Sequence, residues 1–355
     1  MNMNYDNYTD KAVALLSRLI STPSVSRDEK TAADIMENYI SGMGFEAHRE
    51  ANNVWALCHD FDEGKPTVLL NAHIDTVKPA ATWTRDPFKP EISDGRLYGL
   101  GSNDCGGGLV SLLQVFGILD GRERNYNLVY LASAEEEVSG KNGFERALPL
   151  LPIIDVAIVG EPTGMQPAIA EKGLMVVDCF AHGKTGHAAR DEGVNALYIA
   201  MDDIAWIRKH KFKKVSELLG PTKMTVTIIN SGTQHNVIPD QCEFTIDIRT
   251  NEFYRNEFVL SHLQKHLKSD CRARSFRLSS SRIDPGHPIV RRCVSMGMNP
   301  FGSPTLSDQA LMPFPSLKLG PGESSRSHSA DEYICISEIR SAIETYVSLL
   351  EGLEM

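Results

Sequence analysis

Residues of metal-binding type close three strand-like runs: VLLNAH ends on His73, LVYLASAEEE on Glu136 and Glu137, and VAIVGE on Glu161. In an open α/β sheet, residues far apart in sequence converge in the crevice at the carboxyl ends of the strands. Asp104, in GLGSNDCGGG ahead of a helical stretch, and His328, in RSHSADE, complete a set of two histidines and three carboxylates. Such a set suits hydrolysis at a two-metal centre.

Each segment alone also has a plainer reading. In His73-Ile74-Asp75 the period of two puts His73 and Asp75 on one face. There Asp75 can accept the second imidazole N–H and fix the ring for a metal, or the two can be a hydrogen-bonded surface pair. A glycine-rich turn can aim Asp104 at two ions, or Asp104 can cap the helix that follows. Glu135, Glu136 and Glu137 repel one another unless a cation neutralises them, or they form a solvated acidic loop. Neighbouring glutamates can divide the labour, one ligating while the next acts as general base. Glu161 before Pro162 reads alone as a turn and His328 as a surface residue, so their joint placement at element ends carries the weight. His187, in GKTGHAARDEGVNA, is either structural or a donor that steadies an oxyanion. Asn236 and Arg249 suit a carboxylate, Arg249 through its bidentate fork, or serve as internal polar contacts. The G-x-x-x-x-G-K-[ST] phosphate loop is absent.

The elements that must position these residues follow from periodicity. Residues 9 to 43 hold two helical patterns: Ala12, Leu15, Leu16 and Leu19, then Ala32, Ile35, Met36 and Ile40 after the break STPSVS. From Val54 to Glu161 apolar strands alternate with helical stretches such as LVSLLQVFGILDG, the rhythm of a sheet covered by helices. The rhythm then becomes LMVVDCFAHG, a helix over 193–210, strands at TKMTVTII and CEFTIDIRT, a helix over 253–269, and a strand near CRARSFRL. That order is β-α-β-β-α-β, a split βαβ sandwich. The expected organisation is an α/β catalytic domain over 1–172 and 285–355, with a mixed sheet under helices, and a ferredoxin-like domain inserted at 173–284.

A chain of 355 residues fits two compact units. Its formal charge of −10 gives no electrostatic footprint for nucleic acid or an anionic membrane, so small molecules are the expected partners. The seven cysteines are scattered and never spaced as CxxC, which fits a reducing compartment. The N-terminus MNMNYDNYTDKAVALL is not a leader pattern, and no apolar run reaches the roughly 18 residues of a membrane span. The expectation is a cytoplasmic protein.

Taken together, NAHIDTV, GLGSNDCGGG, SAEEEVSG, VGEPT, GKTGHAARDEGVNA, NVIPDQCEFTIDIR and GPGESSRSHSADEYI resemble the dizinc deacylase and peptidase family. That family includes acetylornithine deacetylase, succinyl-diaminopimelate desuccinylase, aminoacylase and glutamate carboxypeptidases, and the resemblance spans nearly the whole chain. It implies a zinc-peptidase-like catalytic domain with two Zn2+ per subunit, Co2+ or Mn2+ substituting. His73 and Glu161 would hold one ion, Glu137 and His328 the other, and Asp104 would bridge them. Glu136 would be the general base, Asp75 the partner of His73, and Glu135 a variable acid. The inserted domain would make a homodimer, with His187 reaching the partner subunit's site and Asn236 and Arg249 near substrate. One departure stands out: many relatives read Asp-x-Lys-Gly-Gly where this chain has Asp104-Cys105-Gly106-Gly107.

The closing segment SDQALMPFPSLKLGPGESSRSHSADEYI looks most like acetylornithine deacetylases, which implies removal of an N-acetyl group in arginine biosynthesis. Alternatives are N-succinyl or N-acetylcitrulline substrates, a diaminopimelate or lysine-pathway deacylase, or a small carboxypeptidase or dipeptidase. A second carboxylate on the acyl group would need a further cation, for which Lys172, Arg190 and Arg326 are candidates. The intact set, Glu136 included, argues against a metal-dependent binding protein without catalysis.

Overall fold

Three apolar runs, Thr67–His73, Asn127–Ser133 and Val156–Val159, form neighbouring parallel strands in which every residue is buried. Near-continuous apolar strands are what a parallel sheet covered on both faces requires. Ser316–Lys318 joins Val156–Val159 in parallel, while Asn53–Leu57 runs antiparallel to Asn127–Ser133, so the sheet is mixed. His73 lies opposite Ser133 and Asn71 opposite Val159, which brings the carboxyl ends of the three strands level.

The computed structural model describes residues 4–190 and 192–355. It divides into a larger unit of Met1–Ile169, Ile283–Phe301 and Ser307–Met355, and a smaller one of Ala170–Arg282 and Gly302–Leu306.

In the larger unit, helix Gly107–Leu119 lies against the parallel strands and is covered in turn by helices Asp6–Ile20 and Ile336–Glu351. A helix enclosed this way must be apolar all round, and GGLVSLLQVFGIL is. Tyr130 Oη donates to the Leu109 carbonyl at 3.1 Å, pinning sheet to helix. On the opposite face Trp55, Leu69, Val129, Leu131 and Ala157 pack with Phe144, Ala147 and Leu151. Each fully buried Leu, Val or Phe among them stabilises the fold by about 1.5–3 kcal/mol. Helix Asp6–Ile20 buries Ala12, Leu15, Leu16 and Ile20. The expected Leu19 is only half-buried, because the row from Ala12 through Leu16 meets Ile20 one turn later. Helix Lys30–Gly42 buries Ala32, Ile35, Met36 and Ile40 as its periodicity predicts.

In the smaller unit the antiparallel strand order is Lys223–Ser231, Gln241–Thr250, Gly173–His182, Asp270–Ala273. Helices Ala196–Lys209 and Asn256–His266 complete the β-α-β-β-α-β order. Gly173–His182 alternates buried with more open residues, as a strand with one covered face does. Its inward Met175, Val177 and Cys179, with Phe244, Ile246 and Ile248, meet Ala200, Ile207, Val259 and Leu263 of the helices. Asn195 caps the first helix by accepting from Leu197 N at 2.9 Å. The fold is thus the expected one: α/β, with a mixed sheet under helices and an inserted ferredoxin-like module. Among the described residues no helix is long and apolar enough to cross a membrane.

Candidate metal centre

The level strand ends place His73, the glutamate turn and Glu161 on one rim of the larger unit. The turn at Ser102–Gly106 brings Asp104 to the same rim, and the segment after the short helix Ser324–Arg326 brings His328. His73 Nε2 lies 3.3 Å from Asp104 Oδ1, 3.6 Å from Glu161 Oε1 and 4.0 Å from Glu136 Oε2. His328 Nε2 lies 2.9 Å from Glu137 Oε2 and 3.6 Å from Asp104 Oδ2. Asp104 therefore turns one oxygen toward each histidine.

Several buried groups hold these side chains in place. His73 Nδ1 is 2.8 Å from the main-chain carbonyl of Asp75 and 3.5 Å from its carboxylate. The carbonyl, more than the carboxylate expected from sequence, fixes the ring and leaves Nε2 for a metal. The Asp75 carboxylate braces the glutamate turn instead, accepting from Glu136 N at 3.0 Å, Glu137 N at 3.2 Å and Ser26 Oγ at 2.6 Å. Glu135 turns away at φ 53° and accepts from Asn142 Nδ2 at 2.9 Å. Asp104 caps nothing, since the next helix starts at Gly107 without a side-chain cap. Its turn is held by Glu332, which accepts from the backbone N–H of Gly101 at 3.1 Å, Asn103 at 2.8 Å and Asp104 at 2.9 Å.

Glu332, Ser26 and Asp308, whose carboxylate accepts from Ser133 Oγ at 2.6 Å, were not singled out by sequence reasoning. The only signal was that Glu332 falls inside SHSADEYI and Ser26 inside STPSVS.

Two glycines are required for the backbone to come this close. A Cβ on Gly108 would overlap the Gly160 carbonyl, so the helix start and the strand end that carries Glu161 meet backbone to backbone. A Cβ on Gly106 would strike the Gly101 carbonyl oxygen and Leu16. This turn has no room for the lysine of many relatives.

Electrostatics and hydrogen bonding together show that the donor set fits metal ions. Burial pushes the Glu136 carboxyl well above the usual carboxylate range, and Glu161, Asp308 and Glu137 push it further. Glu161 is raised to about 8 by burial and then by Asp104. For Asp104 and Asp75 burial acts in the same direction, but the hydrogen bonds and charge of His73 outweigh it and hold both below their ordinary values. A hydrogen bond to Glu137 raises His328 to about 9. Glu161 Oε1 is buried without a hydrogen-bond partner, since 3.6 Å to His73 is too long for one. Carboxylates this crowded ionise together only beside cations. His73, Asp104 and Glu137 offer ligand atoms within 4.8 Å of one another, as do His73, Cys105 and Glu161. Burial holds the Cys105 thiol protonated, and its sulfur accepts from His73 N at 3.2 Å, so it packs rather than ligates.

The remaining sequence-singled residues lie in the smaller unit. His187 sits exposed on Gly186–His187, paired with Val237–Ile238. Its Nδ1 accepts from Ala189 N at 3.1 Å, which leaves Nε2 as the donor of the neutral ring. The Asn236 carbonyl accepts from Ala188 N at 3.0 Å, so both residues belong to one small element. The Arg249 guanidinium spans Asp247, at 2.9 and 3.1 Å. Lys172 donates to the Pro221 carbonyl at 3.0 Å, and Arg190 lies 3.8 Å from Glu192. In the larger unit, Arg326 is bound bidentately by Glu338 at 2.7 and 3.0 Å.

Residues 169–275 match the family model of a peptidase dimerisation domain. The chain is 30% identical over 368 residues to an acetylornithine deacetylase of Pectobacterium atrosepticum, covering 94% of this chain and 95% of the relative. It is 28% identical over 373 residues to the acetylornithine deacetylase of Proteus mirabilis, covering 96% of each. Among solved structures, an aminopeptidase from Bacillus cereus superposes with a TM-score of 0.78 at 19% identity, over 97% of this chain and 98% of that one. A dinuclear metal binding peptidase of the M20 family from Bacillus subtilis gives 0.75 at 15% identity, over 98% and 100%. Likeness to a deacetylase along nearly its full length, joined to a rim whose carboxylates need cations, means that the chain belongs to the M20 family of metal-dependent amide hydrolases.

Proposed function

We propose that the rim hydrolyses the amide bond of an N-acyl amino acid, with N-acetylornithine the favoured substrate and the acetyl group the one removed. The observation that carries it is Glu136: a buried carboxyl, raised by its surroundings, set 4.0 Å from His73 among the candidate ligands. A general base works best when its pKa approaches the working pH. His73 and Glu161 would hold one ion, Glu137 and His328 the other, and Asp104 both, with Zn2+ the favoured metal and Co2+ or Mn2+ able to replace it. When bound, such ions polarise a carbonyl and lower the pKa of water to ~7.

The chain's own residues do the rest. Glu136 takes a proton from the attacking water and returns it to the departing amine. Asp75 keeps Glu136 and Glu137 in register with His73. His187, exposed and with Nε2 the donor of its neutral ring, donates to the oxyanion of the tetrahedral intermediate. Asn236 and Arg249 meet the substrate carboxylate, Arg249 on leaving Asp247. The match to a dimerisation domain supports a homodimer whose partner supplies His187. Seven unpaired cysteines support a reducing, cytoplasmic setting. The deacetylase relatives favour an arginine-biosynthetic role, while the peptidase neighbours give the second reading, a small carboxypeptidase or dipeptidase.

The test is amine release by zinc-loaded protein from N-acetylornithine, N-acetylcitrulline, their N-succinyl counterparts, succinyl-diaminopimelate and dipeptides, with Glu136→Gln as the blank. Preference for N-acetylornithine, abolished in a Glu136→Gln protein of normal metal content, is the expected result. Turnover of dipeptides alone moves the chain to the peptidases, and an active Glu136→Gln refutes the base.

A further inference from the structure

The smaller unit carries a second cluster of metal-binding type, made of residues that the amide-hydrolysing centre does not use. His210 follows helix Ala196–Lys209, and His262 and His266 sit four residues apart on one face of helix Asn256–His266. His210 Nε2 and His262 Nε2 face each other at 3.2 Å. The His266 ring centre is 4.3 Å from that of His262 and 6.4 Å from that of His210. Trp206 stacks on His210 at 4.3 Å and on His266 at 5.0 Å, and Phe212 meets His210 edge-on at 4.9 Å. The rings are therefore held by aromatic packing, the kind of support that keeps a ligand set in place.

Two imidazole lone pairs cannot face each other at this distance without something positive between them, either a proton on one ring or a shared cation. Zn–N bonds of about 2.0–2.1 Å at a tetrahedral angle set two ligand nitrogens about 3.3–3.4 Å apart. The observed spacing is close to that bite, with the backbone where it is. His266 Nδ1 lies 2.8 Å from the His262 carbonyl, so this ring packs beside the pair, and the three rings do not offer three nitrogens within 4.8 Å of one another. Burial, then the neighbouring imidazoles, hold His210 and His262 below the ordinary histidine range, so both stay neutral near pH 7. Among the described residues the hydrogen bonds of these rings run to one another and to a main-chain carbonyl, not to a carboxylate. An imidazole-only set suits Zn2+, Ni2+ or Cu2+ and offers nothing to Mg2+ or Ca2+. The flanking Arg208, Lys209, Lys211 and Lys265 weaken the attraction for any cation and leave the selection to the nitrogens.

We propose that His210 and His262 bind one transition-metal ion, its remaining positions taken by water, that ties the end of helix Ala196–Lys209 to helix Asn256–His266. The site stands apart from the hydrolytic rim in every ligand, so its test reads metal content rather than turnover. Metal-free full-length protein is dialysed against buffered Zn2+, and bound zinc is measured by mass spectrometry for wild type, His210→Asn and His262→Gln. Wild type is expected to hold one equivalent more than either variant, while amide hydrolysis is the same in all three. Thermal melts in Ni2+ should rise further for wild type than for the variants, which keep only the rim. Equal zinc content in wild type and folded variants overturns the proposal and leaves the nitrogen pair a plain hydrogen bond. Should His262→Gln fail to fold, His210→Asn, beyond the end of its helix, decides the matter by the same two readouts.

Discussion

The metal rim of the larger unit and the His187 turn of the smaller one hold their candidate residues in opposite ways. On the rim, Asp75 and Glu332 each accept three donors, and those donors fix the segments carrying Glu136, Glu137 and Asp104. His187 is exposed, and one backbone N–H holds its ring. The difference matches the two tasks proposed for them. A ligand set must be kept within about 0.5 Å of its geometry before any ion arrives. A hydrogen-bond donor to a charge that exists only during reaction needs reach more than rigidity.

The strongest challenge to this contrast is Glu332→Ala. It leaves three buried N–H groups without an acceptor, and each costs about 1–3 kcal/mol. Denaturant unfolding should show a loss of about 3–5 kcal/mol, and metal affinity should drop about 10–100-fold. A variant as stable as wild type, with full metal content, would mean that the Asp104 turn holds itself.

The opposite pattern is expected of His187→Ala. Stability should stay within about 0.5 kcal/mol of wild type and metal content should not change, while kcat falls about 100-fold. A fall in stability with kcat intact would make His187 structural and erase the contrast.

The smallest effect concerns the support beneath His328. Burial opposes a charge on Glu338, but Arg326 and the Cys335 N–H outweigh it and hold its carboxyl below the ordinary value. A folded pKa below the unfolded one, about 4.3, gives stability that is full above that pH and lost as pH falls through the folded value. Glu338→Gln should therefore cost under about 1 kcal/mol at pH 7, and the gap from wild type should close as pH falls through the lowered folded value. A gap that persists there would assign the stability to packing instead of charge.

How much of this was legible from the sequence depended on what each residue does. Apolar runs ending in His73 and Glu161 announce the rim because strand ends are where such residues converge. The change of rhythm after Glu171 announces the module because alternation and helical period are written in side chains. Glu332 and Asp308 stayed silent because they accept hydrogen bonds from segments far away in sequence, Glu332 from main-chain N–H groups that no side chain advertises and Asp308 from the Ser133 hydroxyl; Ser26 stayed silent because it donates to Asp75 across 49 residues. The same limit applies to His73, whose Nδ1 meets a main-chain carbonyl where the sequence suggested a carboxylate. Nor did the missing lysine of the Asp104 turn explain itself until the closeness of Gly106 to Gly101 was visible.

The rim's hydrogen bonds also set an order of events during synthesis. Glu332 meets Asp104 across 228 residues, and His328 meets Glu137 across 191. The smaller unit is almost one unbroken stretch, Ala170–Arg282, so it can close before the segment that carries His328 and Glu332 is made. Contacts that span so much chain form late. A nascent chain that has not yet released His328 and Glu332 has neither the whole proposed ligand set nor the brace for the Asp104 turn, so the rim assembles only after the main stretch of the smaller unit has been made.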